Sequence, residues 1–194
     1  MHDNKLPKDV AALVGAELQP GERIIWTGRP IPGRFARRSI GIVLFGIVWT
    51  AFAIFWIAGA SRFRLPDFSH GFGLFPLFGV PFVLIGFGML STPYWMRRKA
   101  GRTAYVITDK RALILDGSLW RSTTVRSFEP HRLGDLRRVQ NRDGSGDIIF
   151  ERVWASDGDG GRQSTDHGFL AIQDVKNVEA HIRQLTHTAI NRNV

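Results

Sequence analysis

Two long stretches without a single charged residue limit what this chain can fold into. Residues 40–60 read IGIVLFGIVWTAFAIFWIAGA and residues 71–96 read GFGLFPLFGVPFVLIGFGMLSTPYWM. As a helix the first run measures about 31 Å at 1.5 Å per residue, close to a hydrocarbon core of ~30 Å. Eleven of its 21 residues are Leu, Ile, Val or Phe. At roughly −0.3 to −0.6 kcal/mol each, they contribute about −3 to −7 kcal/mol to membrane insertion. A soluble domain could hide two such helices only inside a large apolar shell, which the remaining polar residues cannot supply. The runs are therefore expected to form a two-helix transmembrane hairpin, with spans at about 40–60 and 71–95. The loop between them, SRFRLPDFSH at 61–70, is short enough to make the spans antiparallel neighbours.

Pro76 and Pro81 are expected to kink or unwind the second span, the freed carbonyls being satisfied by neighbours. Tyr94 and Trp95 end it as interfacial aromatics. Neither run holds an ionisable side chain, which argues against a proton relay or ion pathway, and neither holds a GxxxG dimerisation signal. Orientation follows from the cations. Arg29, Arg34, Arg37 and Arg38 precede the first span, Arg62 and Arg64 lie in the loop, and Arg97, Arg98, Lys99 and Arg102 follow the second. The excess on the outer flanks predicts a multi-pass protein of the cell (inner) membrane with both termini cytoplasmic.

The 26 Lys and Arg exceed the 17 Asp and Glu, giving a net charge of +9. Residues 1–38 carry seven cations against four acids, 39–96 two against one, and 97–194 seventeen against twelve. Basic flanks around an uncharged middle suit a bilayer with anionic head groups, at ~1 kcal/mol per Lys or Arg. The candidate anionic-lipid contacts are Arg34, Arg37, Arg38, Arg97, Arg98, Lys99 and Arg102, residues that equally serve as a topology signal. Acids are interspersed through the polar part and no nucleic-acid motif occurs, so no nucleic-acid partner is expected. The chain has no cysteine, which excludes disulfides, thiolate zinc sites and cysteine nucleophiles. The first apolar run lies behind a charged leader and is longer than a signal-peptide core, so it reads as a retained anchor.

Before the hairpin, residues 9–18 have helical spacing, with Val10, Leu13, Val14 and Leu18 on one stripe, Asp9 as a cap and Pro20-Gly21 as a stop. Such a short helix must dock on something to persist. Residues 22–28, ERIIWTG, read as a strand. Pro30 and Pro32 are expected to break regular structure. After the hairpin the period changes to two. Strands are expected at Thr103–Thr108, 112–116, 120–128, 136–140, 147–154 and 163–172, separated by turns such as NRDGSG and SDGDGG. A final helix starts at Asp174 as N-cap, with Val175, Val178, Ile182, Leu185 and Ala189 on one face. A bent sheet of this size leaves an open end that one helix can plug. The hairpin returns the chain to the side it left, so the 22–28 strand is expected to pair with the sheet that begins at Thr103.

The order GERIIWTGRP, two apolar spans, AYVITDKRALIL and then GDIIFERV followed by GFLAIQDVKNVEAHI resembles the bacterial pleckstrin-homology-like (PH-like) membrane protein family. Its most specific residues here are Tyr105, Thr108, Asp109, Arg111, Gly168, Phe169 and Asp174, and the resemblance runs from Gly21 to about Leu185. It implies a PH-like antiparallel β-sandwich or barrel capped by a C-terminal helix, set on a membrane. It implies no reaction. The expected organisation is thus an α+β membrane protein: residues 1–38 an N-terminal cytoplasmic helix and strand, 39–96 the transmembrane hairpin, and 97–194 the PH-like domain.

No pattern in the chain supports an enzyme. His2, His70, His131, His167, His181 and His187 form no metal-ligand spacing. Asp143, Asp147, Asp157 and Asp159 lie in Gly-rich stretches that lack the twelve-residue calcium spacing. No phosphate loop or nucleophile elbow occurs, and no cofactor is implied. The expected function is a membrane-anchored PH-like binding or scaffold module facing the cytoplasm, with a protein partner or its own oligomer. The alternative is a small subunit of an envelope or transport assembly in which the hairpin is the interacting part.

Overall fold

A computed structural model describes residues 8–61, 78–117, 123–156 and 162–192. The expected loop at 61–70 beyond Ser61, the first part of the expected second span and the turn at 157–161 lie outside these residues. The chain divides into two compact units, one formed by residues 1–35 with 98–194 and the other by residues 36–97.

The first unit begins with helix α1 (Lys8–Glu17) and strand β1 (Ile24–Gly28), followed by the short helix α2 (Pro32–Arg37). Past the second unit come β2 (Thr103–Thr108), β3 (Ala112–Gly117), β4 (Thr123–Phe128), a 3-10 turn at Pro130–Leu133, β5 (Arg137–Gln140), β6 (Gly146–Ser156), β7 (Arg162–Ile172) and α5 (Val175–Arg192). Two antiparallel sheets result, ordered β1-β2-β3-β4 and β5-β6-β7. The 22–28 stretch pairs as its position predicts, Ile24 opposite Thr108 and Gly28 opposite Tyr105. Sequence-distant β1 is therefore the edge strand of a sheet whose other strands all follow the apolar runs.

Strand β2 is buried at all six positions, because both faces of its sheet are covered. One face carries Tyr105, Ile107, Ala112 and Ile114 into a core shared with Phe128, Leu133, Ile148, Phe150 and Phe169. The other carries Ala104, Val106, Leu113 and Leu115 under Val10 and Val14 of α1. This explains why TAYVIT and ALIL are nearly continuous apolar runs rather than alternating ones. It also supplies the docking surface that α1 requires, although Leu13 stays exposed. The core is aromatic at its centre: Phe169 lies 4.8 Å from Tyr105, 4.9 Å from Phe150 and 5.7 Å from Trp26 between ring centroids. Helix α5 closes the core with Val175, Val178, Ile182 and Leu185, all buried and worth ~1.5–3 kcal/mol each. Gly168 permits the close approach of β7 to β6, since a Cβ there would stand 2.0 Å from the Ile148 carbonyl oxygen.

A buried ion pair ties the α1–β1 connection to the β2–β3 turn. The Glu22 carboxylate accepts from Arg111 Nε at 2.9 Å and Nη2 at 3.1 Å, from the Thr108 hydroxyl at 2.7 Å and from the Gln19 N–H at 2.7 Å. Arg111 also donates to the Glu17 carbonyl, and Asp109 accepts from the Arg23 N–H. Burial opposes ionisation of Glu22, but the hydrogen bonds from Arg111, Gln19 and Thr108 together outweigh it and lower its pKa from 4.5 to about 2.

The second unit contains α3 (Ile40–Ala60) and most of α4 (Val80–Ala100). Among the described residues, α3 is the one helix long and apolar enough to cross a membrane. Among the described residues the helix of the expected second span starts at Val80 and runs past the expected end at residue 95. Pro81 falls in the first turn of α4, where a missing N–H costs nothing, so it starts the helix instead of kinking it. The proline inside the helix is Pro93. Helix α4 then runs on through Arg97, Arg98 and Lys99, leaving 17 uncharged residues from Val80 to Met96. Pro32 likewise begins α2, where it was expected to break structure.

The helices pack antiparallel through small residues. A Cβ on Gly46 would stand 2.8 Å from Met89 Cβ, and one on Gly86 would stand 2.1 Å from the Thr50 hydroxyl oxygen. Rising positions on α3 thus meet falling positions on α4. Gly46, Thr50 and Ala53 are the buried residues of α3, and the Thr50 hydroxyl donates back to the Gly46 carbonyl at 2.6 Å. The seam contains no GxxxG because Thr50 and Ala53 replace glycine in the small-residue spacing.

The Glu22 site makes the acid limb of stability measurable. A carboxylate whose folded pKa lies below its unfolded value stabilises the fold above pH 4.5 and loses that contribution as pH falls toward 2. The contribution is about 3 kcal/mol. Glu22→Gln is expected to lower the urea midpoint of the detergent-solubilised protein at pH 7 and to flatten its decline between pH 4.5 and 2. An unchanged acid limb, followed by near-ultraviolet circular dichroism, would show that Glu22 does not carry it.

Candidate functional site

The first unit holds a cleft of about 930 Å³ beside the edge strand β1. One wall is the chain from Ile25 to Pro32, another is Ala100 and Gly101, and the third is the β7–α5 corner with Ile172, Gln173, Asp174 and Asn177. Its lining is about half polar and half apolar, and its size is that of a small-ligand site.

Local geometry holds each wall. Trp26 folds its ring over Gly28, where an added Cβ would lie 2.1 Å from the indole, and the same ring stacks on Phe169 of the core. The Ile31 N–H donates to the Ala171 carbonyl at 2.7 Å, tying the exit of β1 to the end of β7. The Arg29 guanidinium donates to the Gly101 carbonyl. The corner itself is strained: Ala171 has φ 54° and Asp174 φ 48°. A left-handed alanine costs roughly 1–2 kcal/mol. Two hydrogen bonds hold this turn: the Ala171 N–H donates to Asp147 Oδ1 at 2.6 Å, and the Val175 N–H donates to the Gly144 carbonyl at 3.0 Å. Asp174 does precede α5 as predicted, and its carbonyl accepts from Asn177 and Val178. Its φ is left-handed, however, where an N-cap is usually extended.

The seven cations expected to contact lipid are placed as follows. Arg34 forms an ion pair with Asp143 in the β5–β6 turn. The Ser145 hydroxyl first, and Arg34 further, hold the Asp143 carboxyl below its usual range. Arg37 and Arg38 are exposed at the end of α2. Arg97 and Arg98 are exposed in the last turn of α4, Lys99 beside them is half-buried, and Arg102 is exposed just before β2. Among the described residues none of the seven lines the cleft; the cation that does is Arg29. The sequence marked Arg29 only as a topology charge, and Asp174 as a helix cap and a residue of the family resemblance. The cleft's walls come from four separate segments that no single periodicity connects.

Several histidines and acids of the unit are engaged in structure. His167 lies against the Arg126 guanidinium, and burial, then that positive neighbour, push its pKa below the usual imidazole value. His181 Nδ1 donates to the Asn177 carbonyl at 2.8 Å. Glu179 is buried and accepts from Arg183 on its own helix and from Arg138 on β5, fastening α5 to the second sheet. Among the described residues no group of His, Asp and Glu is arranged to hold a metal ion.

The helix pair has a separate feature, an apolar notch of about 210 Å³ lined by Trp49, Phe52, Ala53, Trp56, Phe78, Gly79 and Phe82. Trp49 donates its indole N–H to the Phe82 carbonyl at 3.0 Å, so the notch presents almost no free polar group.

Compared with protein-family models, curated proteins and solved structures, the chain has no significant match.

The stacking of Trp26 over Gly28 predicts a sensitive cleft wall. Gly28→Ala is expected to push the indole off Phe169 and to destabilise the unit by ~1–3 kcal/mol, as overpacking does. Near-ultraviolet circular dichroism and a urea titration would detect both effects. A variant with the spectrum and midpoint of the parent would exclude this packing.

Proposed function

We propose that the chain is a membrane-anchored, PH-like binding or scaffold module facing the cytoplasm, and that it binds a ligand without transforming it. In this reading α3 and α4 cross the bilayer as a hairpin, with both termini inside and the connecting loop outside. The observation that carries it is the surface of the helix pair. Ile40, Leu44, Val48, Phe52 and Phe55 on α3, and Leu84, Ile85 and Phe87 on α4, are each at least half exposed. A contiguous belt of this size is unfavourable in water and favourable in hydrocarbon. The Ser91 hydroxyl donates back to the Gly88 carbonyl, which suits a helix with no water to satisfy it. Arg97, Arg98 and Lys99 end α4 where cytoplasmic cations would stand, and with Arg37, Arg38 and Arg102 they are the proposed contacts to anionic head groups.

A four-stranded and a three-stranded antiparallel sheet closed by one C-terminal helix supports the PH-like reading of the other unit. The cleft beside β1 is its proposed binding site. A second reading, a small subunit of an envelope or transport assembly, is favoured by the aromatic notch of the helix pair, which suits a side chain from a neighbouring membrane helix.

The absence of cysteine from the chain makes topology directly testable. Ser61→Cys is expected to react with a membrane-impermeant maleimide on intact cells, and Ser164→Cys, on exposed β7, only after permeabilisation. Labelling of Ser164→Cys from outside would overturn the cytoplasmic orientation. Extraction of the protein by alkaline carbonate would overturn the anchor.

A further inference from the structure

We propose that the cleft beside β1 receives a phospholipid head group, and that its chemistry matches phosphoethanolamine. The inference rests on the membrane-anchored reading above and names the ligand of that site. Three observations carry it. First, the cleft is walled by the two stretches of chain that lead to and from the apolar helices: Arg29 to Pro32 run into α2 and α3, Ala100 ends α4 and Gly101 directly follows it. The last turn of α4 carries Arg97, Arg98 and Lys99, the residue types that stand at head-group level. Ala100 and Gly101 come next along the chain, at ~1.5 Å of helical rise per residue.

Second, the lining holds one cation and one carboxylate, Arg29 and Asp174, with Gln173 and Asn177 as neutral hydrogen-bond partners. A polyanionic head group needs several cations. A zwitterion needs one of each sign: the guanidinium for the phosphate and the carboxylate for the ammonium. An ethanolamine ammonium can donate hydrogen bonds to Asp174, whereas a choline cannot. Ile25, Pro30, Ile31 and Pro32 supply the apolar part of the lining, suited to the glycerol and the first methylenes.

Third, the competing occupant, an extended peptide added as a strand, is disfavoured by the edge itself. The β1–β2 register shifts between Ile24 and Trp26. A bulge on an edge strand interrupts the even row of N–H and C=O groups that strand addition requires. The two opposite charges in the lining would also have no role in main-chain recognition.

The test uses the full-length, isotope-labelled protein in detergent micelles, titrated with dihexanoyl lipids while the amide signals of Gly28, Gly101 and Asn177 are followed. The ethanolamine lipid is expected to bind about tenfold tighter than the choline lipid, the size of one charge-assisted hydrogen bond. Asp174→Asn keeps a residue that tolerates the left-handed φ. It is expected to bring that ratio to about one while leaving the β2 and β3 signals in place. Arg29→Met is expected to weaken both lipids. Equal affinity of the two lipids for the parent protein overturns the proposal, as does a water-soluble glycerophosphoethanolamine that binds as tightly as the lipid. A strand-like peptide that protects the β1 amides and displaces the lipid would show that the cleft serves a protein instead. Membrane association with no cleft shifts defeats this inference alone, and cleft shifts in a protein that carbonate extracts defeat the anchor alone.

Discussion

Glu22 and Arg111 stand 89 positions apart, with the whole apolar segment between them, and their pairing, with the β1–β2 ladder beside it, joins residues on both sides of that segment into one folded unit. Neither charge would be stable where it lies without the other. Removing one partner of such a pair costs several kcal/mol because the remaining charge stays desolvated. The pair also aligns the chain. It pins the approach to β1 against the β2–β3 turn, so that β1 enters the sheet in a register that sends Trp26 onto Phe169. The cleft wall and the stacking of Trp26 on the aromatic core follow from that register.

The helix pair is organised by the opposite principle. Its closest contacts are made by the absence of side-chain bulk, with Gly46, Thr50, Ala53 and Gly86 letting two backbones approach, while Trp49 reaches across to the Phe82 carbonyl. Without a hydrophobic drive between helices in lipid, close backbone packing is what remains to hold them together. An antiparallel pair has its first and last residues at one end. It can therefore be inserted between residues 35 and 98 of another unit without separating the strands on either side.

The two units differ in how far their sequences could be read. Strong periodicity made β2, β3, β6, β7 and α5 legible, because one buried face leaves an alternating or helical stripe. The pairing of β1 with β2 followed from a chain argument rather than a propensity: a hairpin brings its ends together. Proline was misjudged where its place in a helix mattered. Pro32 and Pro81 start helices and Pro93 lies within one, since the same residue is favourable at the first turn and costly in the interior. The candidate site was far less legible. The arginines counted as lipid contacts lie outside the cleft, Arg34 is committed to Asp143, and the cation that does line it, Arg29, had no distinguishing spacing.

By itself the sequence determined most of the element types, the uncharged belt and the basic flanks, because hydrophobic period and charge are local properties of a chain. Tertiary structure alone decided the partner of Glu22, the left-handed turn at Ala171 and Asp174, and the presence of Arg29 and Asp174 in the lining of one cleft. Each of these depends on backbone segments far apart in sequence being held at ångström distances, and only the packed core holds them there.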